Sequence, residues 1–200
     1  MSRMRIEALY QRPRTTTPHP GHVVFPSLLR HREITAPNQV WAMDITYLPM
    51  RRGFVSRAAV LDWATRRVLA WRLSNSMTVD FCLDAVEAAI RDSGIPEIVN
   101  TDQGSQFTGT AFVGLVQQHG IQISMDGTGS WRDNIFFVER LWKSVTHEEV
   151  YVHAYDSVAE ARRGLERSFL FYNQRRPHTA LDGQTPDMIY FAPLPQPQAA

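Results

Sequence analysis

Three acidic residues stand where a carboxylate is costly unless a cation holds it. Asp44 interrupts one apolar run, Asp102 follows another, and Glu139 lies within an apolar stripe of helical spacing. Mg²⁺ and Mn²⁺ prefer oxygen ligands of this kind. We therefore predict that the three carboxylates gather at one end of a sheet and bind hard divalent cations. Taken singly, each has a plainer interpretation, because an aspartate often ends a strand and Glu139 can pair with Lys143 one turn on.

The segments that would position these acids predict an α/β fold. Three strands joined by short connections indicate an antiparallel meander, and the strand–helix–strand unit that follows indicates a parallel pair. Asp44 and Asp102 then fall on adjacent central strands and Glu139 on a packed helix, in a ribonuclease-H-like mixed five-stranded sheet flanked by helices. The predicted strands are 39–49, 54–61, 68–73, 97–101 and 121–124, and the predicted helices are 78–92, 110–119, 133–149 and 158–172.

Composition places the chain among globular proteins without a strong overall charge. It has 200 residues, 44% of them hydrophobic and 20% charged, and a formal net charge of +1. A nucleic-acid surface must therefore be a local patch. The single cysteine, Cys82, excludes an internal disulfide and is predicted to lie in the core, as are Trp41 and Trp142. Because no apolar run is long enough to span a bilayer and the first residues lack a secretory signal, we expect a cytoplasmic protein.

The two ends of the sequence differ from the core between them. Residues 1–36 contain six arginines against two glutamates, and four prolines prevent a long helix. We predict a basic N-terminal arm there, which is either a solvated linker or a contact for DNA phosphates. Residues 37–191 form the predicted catalytic core with a C-terminal extension, and residues 192–200 form a proline-rich tail.

Four blocks of the sequence combine these acids with aromatic, amide and basic residues at set spacings. They are Trp41-Ala-Met-Asp44-Ile-Thr-Tyr47; Asn100-Thr-Asp102-Gln-Gly-Ser-Gln-Phe107; Asp133-Asn134 with Val138-Glu139-Arg140-Leu-Trp142; and Tyr172-Asn-Gln-Arg-Arg-Pro-His178 with Leu181 and Thr185-Pro186. In this order they resemble the blocks of bacterial insertion-sequence-three family transposases, whose second reading frame carries a retroviral-integrase-like core. The resemblance runs from roughly residue 8 to residue 191, nearly the whole chain.

This resemblance implies a DDE recombinase, a polynucleotidyl transferase in which Asp44, Asp102 and Glu139 are the catalytic residues and hold two Mg²⁺ (or Mn²⁺) ions. Such an enzyme cuts a DNA strand with water and then joins the freed 3′ hydroxyl to another phosphodiester, without a covalent protein–DNA bond. The implied partners are the DNA of the element ends and of the target. The pairing of two ends implies a homo-multimer on DNA, and the product of the first reading frame is a further implied partner.

The same resemblance points to six residues for DNA binding, each with a structural alternative. Lys143, one turn after Glu139, can donate to a phosphate. Gln103 and Asn134 can orient DNA or water, or they can satisfy loop backbone. A basic cluster near the C-terminus can bind DNA or clamp the chain on the core. Its members are Arg175, Arg176 and His178.

The sequence departs from the family pattern close to Glu139. Four residues separate Asn134 from Glu139, one more than relatives usually have, and Thr146 stands where a basic residue is frequent. If the start of the helix fixes its position, one extra residue turns Glu139 by about 100°. If residues after Glu139 fix it, the loop upstream absorbs the change. The helix-turn-helix that usually precedes this core is absent, so we expect a fragment or a truncated reading frame.

Two other functions remain open on the sequence alone. A catalytically impaired transposase remnant that binds DNA or a transposase partner would account for the extra residue before Glu139. A nuclease that acts on RNA–DNA hybrids would share the fold. The closing block at 172–178 is of the transposase type and argues against the nuclease.

Deleting Phe137 restores the usual spacing and separates the transposase from the impaired remnant. We expect the parent chain to cleave DNA with Mg²⁺ and the deletion not to raise its activity, because the loop that contains Gly127 and Gly129 can absorb one residue. Cleavage of a labelled oligonucleotide measures this. Activity that appears only in the deletion variant would show that the insertion disables the site.

Overall fold

A mixed sheet of five strands, in the order β3-β2-β1-β4-β5, forms the centre of the protein. The computed structural model describes residues 23–30, 32–126, 141–142 and 155–193. The strands are β1 (Val40–Pro49), β2 (Phe54–Asp62), β3 (Val68–Ser74), β4 (Ile98–Thr101) and β5 (Gln122–Met125). The helices are α1 (Asp80–Ser93), α2 (Ser105–Thr108), α3 (Thr110–Gln118), α4 (Val158–Gln174) and α5 (Pro186–Tyr190), with a 3₁₀ turn at Thr179–Leu181.

The strand directions follow from the lengths of the connections. β1, β2 and β3 are antiparallel, and a tight turn in which the Met50 N–H donates to the Gly53 carbonyl at 3.0 Å joins the first two. Gly53 has φ +78°, a conformation that favours glycine. β4 and β5 run parallel to β1 because helices cross over between them. These observations confirm the predicted mixed five-stranded sheet.

Side chains of β1 alternate between two hydrophobic layers, as a strand requires. Trp41 and Met43 face the layer that α1 and α3 cover. Ala42 and Leu48 face the opposite layer, which α4 covers and which also contains the helical residue Trp142. Asp44 has the same parity as Ala42 and Leu48 in this strand. The pleat therefore directs it towards the layer that contains Trp142.

The C-terminal segment is fastened to the sheet by polar contacts. Asn173 makes two hydrogen bonds with the backbone of Val68 on the edge strand β3, and both measure 2.9 Å. Further along, Arg67 pairs with Asp187 at 2.7 Å, and the Tyr190 hydroxyl donates to Asn38 at 3.1 Å. The sequence predicted the helix before this segment but not α5, whose start Thr185 caps. A five-residue helix is too short to produce a recognisable apolar period.

The described part of the predicted N-terminal arm lies against the sheet. Leu29 is buried, and the backbone N–H of Leu28 donates to the Ser124 hydroxyl at 3.0 Å. Arg32 forms an ion pair with Glu97, next to β4. That arginine is thus committed to a protein contact, whereas contact of the arm with DNA phosphates stays a prediction. Among the helices of the described ranges, none has the length and apolar character needed to cross a membrane.

Replacing Asn173 with alanine tests the fastening of the C-terminal segment. The variant leaves the N–H and the carbonyl of Val68 without this partner, so we expect the free energy of unfolding to fall by about 1–3 kcal/mol. Urea denaturation of the full chain measures the change. Gln174→Ala is the matched control, because the neighbouring Gln174 is exposed and should change stability by less than about 0.5 kcal/mol. Equal stability of the two variants would contradict the assignment.

Candidate active site

The register of the sheet brings Asp44 and Asp102 to the same level on adjacent parallel strands. The last paired residues of β1 and β4 are Ala42 and Asn100. Two residues further along each chain lie Asp44 and Asp102. The two carboxylates are close enough that the charge of Asp102 adds to burial in raising the pKa of Asp44. The two aspartates that the sequence predicted to meet are therefore neighbours at the carboxyl-terminal end of β4.

Asp44 is a carboxyl group whose ionised form is disfavoured. Burial is the main cause, and the nearby charge of Asp102 adds to it, so that the pKa of Asp44 rises to about 6. Three contacts act in the opposite direction. They are a hydrogen bond from the Trp142 indole, one from the Ile45 backbone and the positive charge of Arg57. The net effect is a raised pKa, so that a further positive charge near Asp44 would stabilise its carboxylate form.

Asp102 is exposed at the start of a loop, and its carboxylate is fixed by the chain that follows. The backbone N–H of Gly104 donates to Asp102 Oδ1 at 2.8 Å. A Cβ at position 104 would lie 2.8 Å from the same oxygen, closer than real Cβ contacts. The backbone conformation does not demand glycine at this position, because a φ of −61° is open to any residue. A larger residue would instead displace the Asp102 carboxylate from this hydrogen-bonded position.

Two residues that the sequence did not assign to the site surround Asp44. The indole N–H of Trp142 donates to Asp44 Oδ2 at 3.0 Å. The guanidinium of Arg57, from β2, lies over the Trp142 ring at 4.3 Å from its centroid. Arg57 is 2% exposed, and burial lowers its pKa to about 10 although the charge of Asp44 counteracts this. An arginine within the apolar run of β2 was the signal available in the sequence.

The other predicted site residues fall in different places. Gln103 is exposed beside Asp102. Glu139, Asn134 and Lys143 lie outside the described residues, so the meeting of the third carboxylate with the two aspartates stays a prediction. Within the described ranges, no three histidine, cysteine, aspartate or glutamate side chains form a group that could hold a metal.

The basic cluster at the end of α4 makes contacts of the structural kind. The His178 ring packs edge-on against Tyr172, with 4.7 Å between centroids, and its backbone N–H donates to the Gln184 carbonyl. Arg175 ends α4, and Arg176 follows it. The segment beyond them reaches Asn38, just before the start of β1. Asp102 follows the end of the parallel strand β4, so the two contacts lie at opposite ends of these strands. These contacts favour the clamp, and DNA binding by Arg175, Arg176 and His178 stays a prediction.

Cys82 has no part in the site. It is buried within α1, and burial raises the pKa of its thiol to about 12. A thiol of this kind is not a nucleophile at neutral pH. Its predicted place in a helix core is confirmed.

Family models confirm what the geometry indicates. Two models described as the integrase core domain match residues 34–130 and 119–186. Together they span the sheet, both aspartates and Trp142. The chain belongs to the integrase core domain family.

Transposases of bacterial insertion sequences are among the similar curated proteins. The transposase for insertion sequence element IS904 of Lactococcus lactis subsp. lactis is 32% identical over 155 residues, which are 76% of this chain and 61% of that protein. Transposase InsF for insertion sequence IS3A of Escherichia coli K12 is 31% identical over 163 residues, 78% of this chain and 54% of that protein. These matches confirm the resemblance to insertion-sequence-three transposases. The integrase core chain spans between half and two thirds of the length of these relatives.

Solved structures with the same fold include retroviral integrase cores. The HTLV-2 integrase catalytic core in complex with magnesium covers 78% of this chain and 97% of its own, with a TM-score of 0.64 and 19% identity. A chain of the simian T-cell lymphotropic virus intasome covers 91% of this chain and 64% of its own, with a TM-score of 0.74 and 18% identity. At these identities the likeness shows the fold, and it confirms the ribonuclease-H-like prediction.

Replacing Asp44 with asparagine tests the electrostatic penalty at the site. Because the folded pKa of about 6 exceeds the ordinary value of 3.8, the ionised carboxylate disfavours folding. The penalty is fully present above pH 6 and is lost below pH 3.8. A shift of this size corresponds to about 3 kcal/mol. Since asparagine can still accept the indole hydrogen bond, we expect Asp44→Asn to be more stable than the parent by roughly 1–3 kcal/mol at pH 8.

Urea denaturation at several pH values, in buffer that contains a chelator, measures the difference. The difference in free energy of unfolding between Asp44→Asn and the parent should fall by roughly half between pH 8 and pH 5, because Asp44 of the parent takes up a proton. Asp84→Asn is the control, because Asp84 is exposed on α1. A gap that is absent, or that does not depend on pH, would contradict the assigned environment of Asp44.

Proposed function

We propose that the chain is the catalytic core of a DDE transposase, which cleaves a DNA strand at the end of an insertion sequence and joins the freed 3′ hydroxyl to target DNA. The observation that carries this proposal is the pair Asp44 and Asp102 at the carboxyl-terminal end of β4, in an integrase fold. Glu139 is proposed as the third catalytic residue.

The residues present fit a divalent cation. Two carboxylates lie near each other, and burial together with the charge of Asp102 raises the pKa of Asp44, a cost that a bound cation would reduce. Carboxylate oxygens are ligands for Mg²⁺ or Mn²⁺, and softer ligands are not needed. The name of the HTLV-2 integrase core structure records magnesium for that protein. Asp44, Asp102 and Glu139 would hold two such ions here.

Bound ions would supply Lewis acidity and charge neutralisation at the phosphodiester that reacts. The task of the protein is then to hold its acids rigidly, so that the attacking and leaving oxygens lie in line. The Asp102 carboxylate is fixed by the Gly104 N–H and the Asp44 carboxylate by the Trp142 indole. In the first step water attacks phosphorus and a 3′ hydroxyl leaves. In the second step that hydroxyl attacks another phosphodiester and a second 3′ hydroxyl leaves.

DNA is the proposed substrate and partner. Gln103 is exposed beside Asp102, where it can orient a phosphate or water. Lys143 and Asn134 are proposed to contact the same DNA. The clamp at the end of α4 is proposed as a further DNA contact, through the side chains of Arg175, Arg176 and His178. Because two ends must be joined, we propose a homo-multimer on DNA, with the product of a first reading frame as an additional partner.

A second candidate function is a catalytically impaired remnant that binds DNA or a transposase partner. The extra residue before Glu139 favours it, because a carboxylate displaced by part of a helical turn would no longer reach the other two. Such a protein would bind DNA but would not cleave it.

Replacing Asp102 with asparagine tests the proposed chemistry. In a strand-transfer assay with a 3′ hydroxyl end and Mg²⁺, we expect the rate to fall at least about 100-fold, because a charged group at the reacting centre is lost. Asp84→Asn, a change of the same kind on the exposed surface of α1, should keep the parent rate. DNA binding, measured by gel shift, should stay within twofold of the parent for both variants.

Strand transfer that survives Asp102→Asn would contradict the proposal. A parent protein that binds DNA but transfers no strand, with Mg²⁺ or with Mn²⁺, would instead support the impaired remnant.

A further inference from the structure

One side chain connects the first aspartate to the helix that follows the region of Glu139. Trp142 is buried, and its indole N–H donates to Asp44 Oδ2 at 3.0 Å. Leu141 and Trp142 are helical, and in the sequence Glu139 stands three residues before Trp142. The tryptophan thus ties a carboxylate of the sheet to the segment that supplies the proposed third carboxylate.

The indole is held on more than one side. The Arg57 guanidinium lies over its ring at 4.3 Å, and the Phe169 ring of α4 meets it edge-on at 6.5 Å between centroids. Arg57 is almost fully buried, a costly place for a cation unless negative charge and an aromatic face compensate it. Asp44 supplies that charge. The arginine, the indole and the carboxylate therefore stabilise one another.

Packing alone does not require this hydrogen bond. A phenylalanine would fill much of the same space between Arg57 and Phe169, but it has no N–H. A hydrogen bond to an ionised acceptor is stronger than one between neutral groups, and it restricts the direction in which the carboxylate points. Groups that orient a metal-binding residue in this way typically change metal affinity or activity by 10–100-fold when they are lost.

We propose that Trp142 is a positioning residue of the active site, whose indole N–H fixes the Asp44 carboxylate for cation binding while the stacked Arg57 holds the indole in place. The inference rests on the proposed function, since it assigns Asp44 to the cation site. It adds that the orientation of the sheet acid depends on a side chain that lies only three residues after Glu139 in the sequence.

The test is a titration of the DNA-free full chain with Mn²⁺ at pH 8, in which electron paramagnetic resonance measures the free Mn²⁺. Trp142→Phe removes the N–H and keeps an aromatic ring, and we expect its Mn²⁺ affinity to fall about 10-fold. Trp41→Phe is the matched control. Trp41 is also buried, its indole also donates a hydrogen bond (2.9 Å, to Asn38), and it packs in the hydrophobic layer on the opposite face of the sheet. This control should keep its Mn²⁺ affinity within twofold of the parent.

A Mg²⁺ titration of the parent protein, followed by proton NMR of the indole N–H groups, is a second measurement that does not depend on a variant being folded. The indole N–H resonance of Trp142 should move as Mg²⁺ binds, because its acceptor becomes a ligand, and that of Trp41 should not. An unmoved Trp142 resonance on saturation with Mg²⁺ would overturn the inference.

The Mn²⁺ results separate the inference from the function on which it rests. If the parent binds Mn²⁺ and Trp142→Phe binds it equally well, the positioning role is overturned and the proposed function stands. If both tryptophan variants lose affinity equally, the effect is structural and the positioning role is again overturned. If the parent binds no Mn²⁺, both the inference and the proposed cation site fall.

Discussion

Partial burial of Asp44 and its closeness to Asp102 impose an electrostatic cost that the surrounding structure has to meet. A fold selected only for stability would not keep Asp44 where burial and Asp102 together disfavour its ionised form. The surrounding contacts reduce the penalty without removing it. The Trp142 indole, the Ile45 backbone and the Arg57 charge all favour the carboxylate, and its pKa still stays near 6. A net electrostatic cost that remains after such compensation is characteristic of a site kept for its chemistry.

The rest of the fold can be understood as the means of keeping these charges in place. Parallel pairing of β1 with β4 sets the two aspartates at the same level. The close approach of Gly104 fixes one carboxylate, and Trp142 fixes the other. At the edge strand β3, Asn173 and the Arg67–Asp187 pair fasten the C-terminal segment to the sheet. This fastening is separate from the contacts that hold the two carboxylates.

Much of this could be predicted from the sequence, because strand and helix periods are local properties. All five strands were located to within one residue, and the order of short and long connections gave the strand directions. The two aspartates were identifiable because each interrupts or ends an apolar run, and four family blocks supported them. Trp142 was correctly placed in the core, but its hydrogen bond to Asp44 joins residues 98 positions apart and has no local signature. Arg57 is similar, since only the tertiary structure brings an aromatic face and a carboxylate to it. The close approach of Gly104 to the Asp102 carboxylate also became visible only in the structure, because it depends on where the aspartate side chain points.

Carbon NMR of the Asp44 carboxyl group in the metal-free protein measures its pKa and shows whether the two aspartates share one site. We expect a pKa near 6 that falls when Asp102 is replaced by asparagine, and that falls further when Mg²⁺ is added to the parent. A pKa near 3.8 that neither Asp102→Asn nor Mg²⁺ changes would show that the two carboxylates do not share a site.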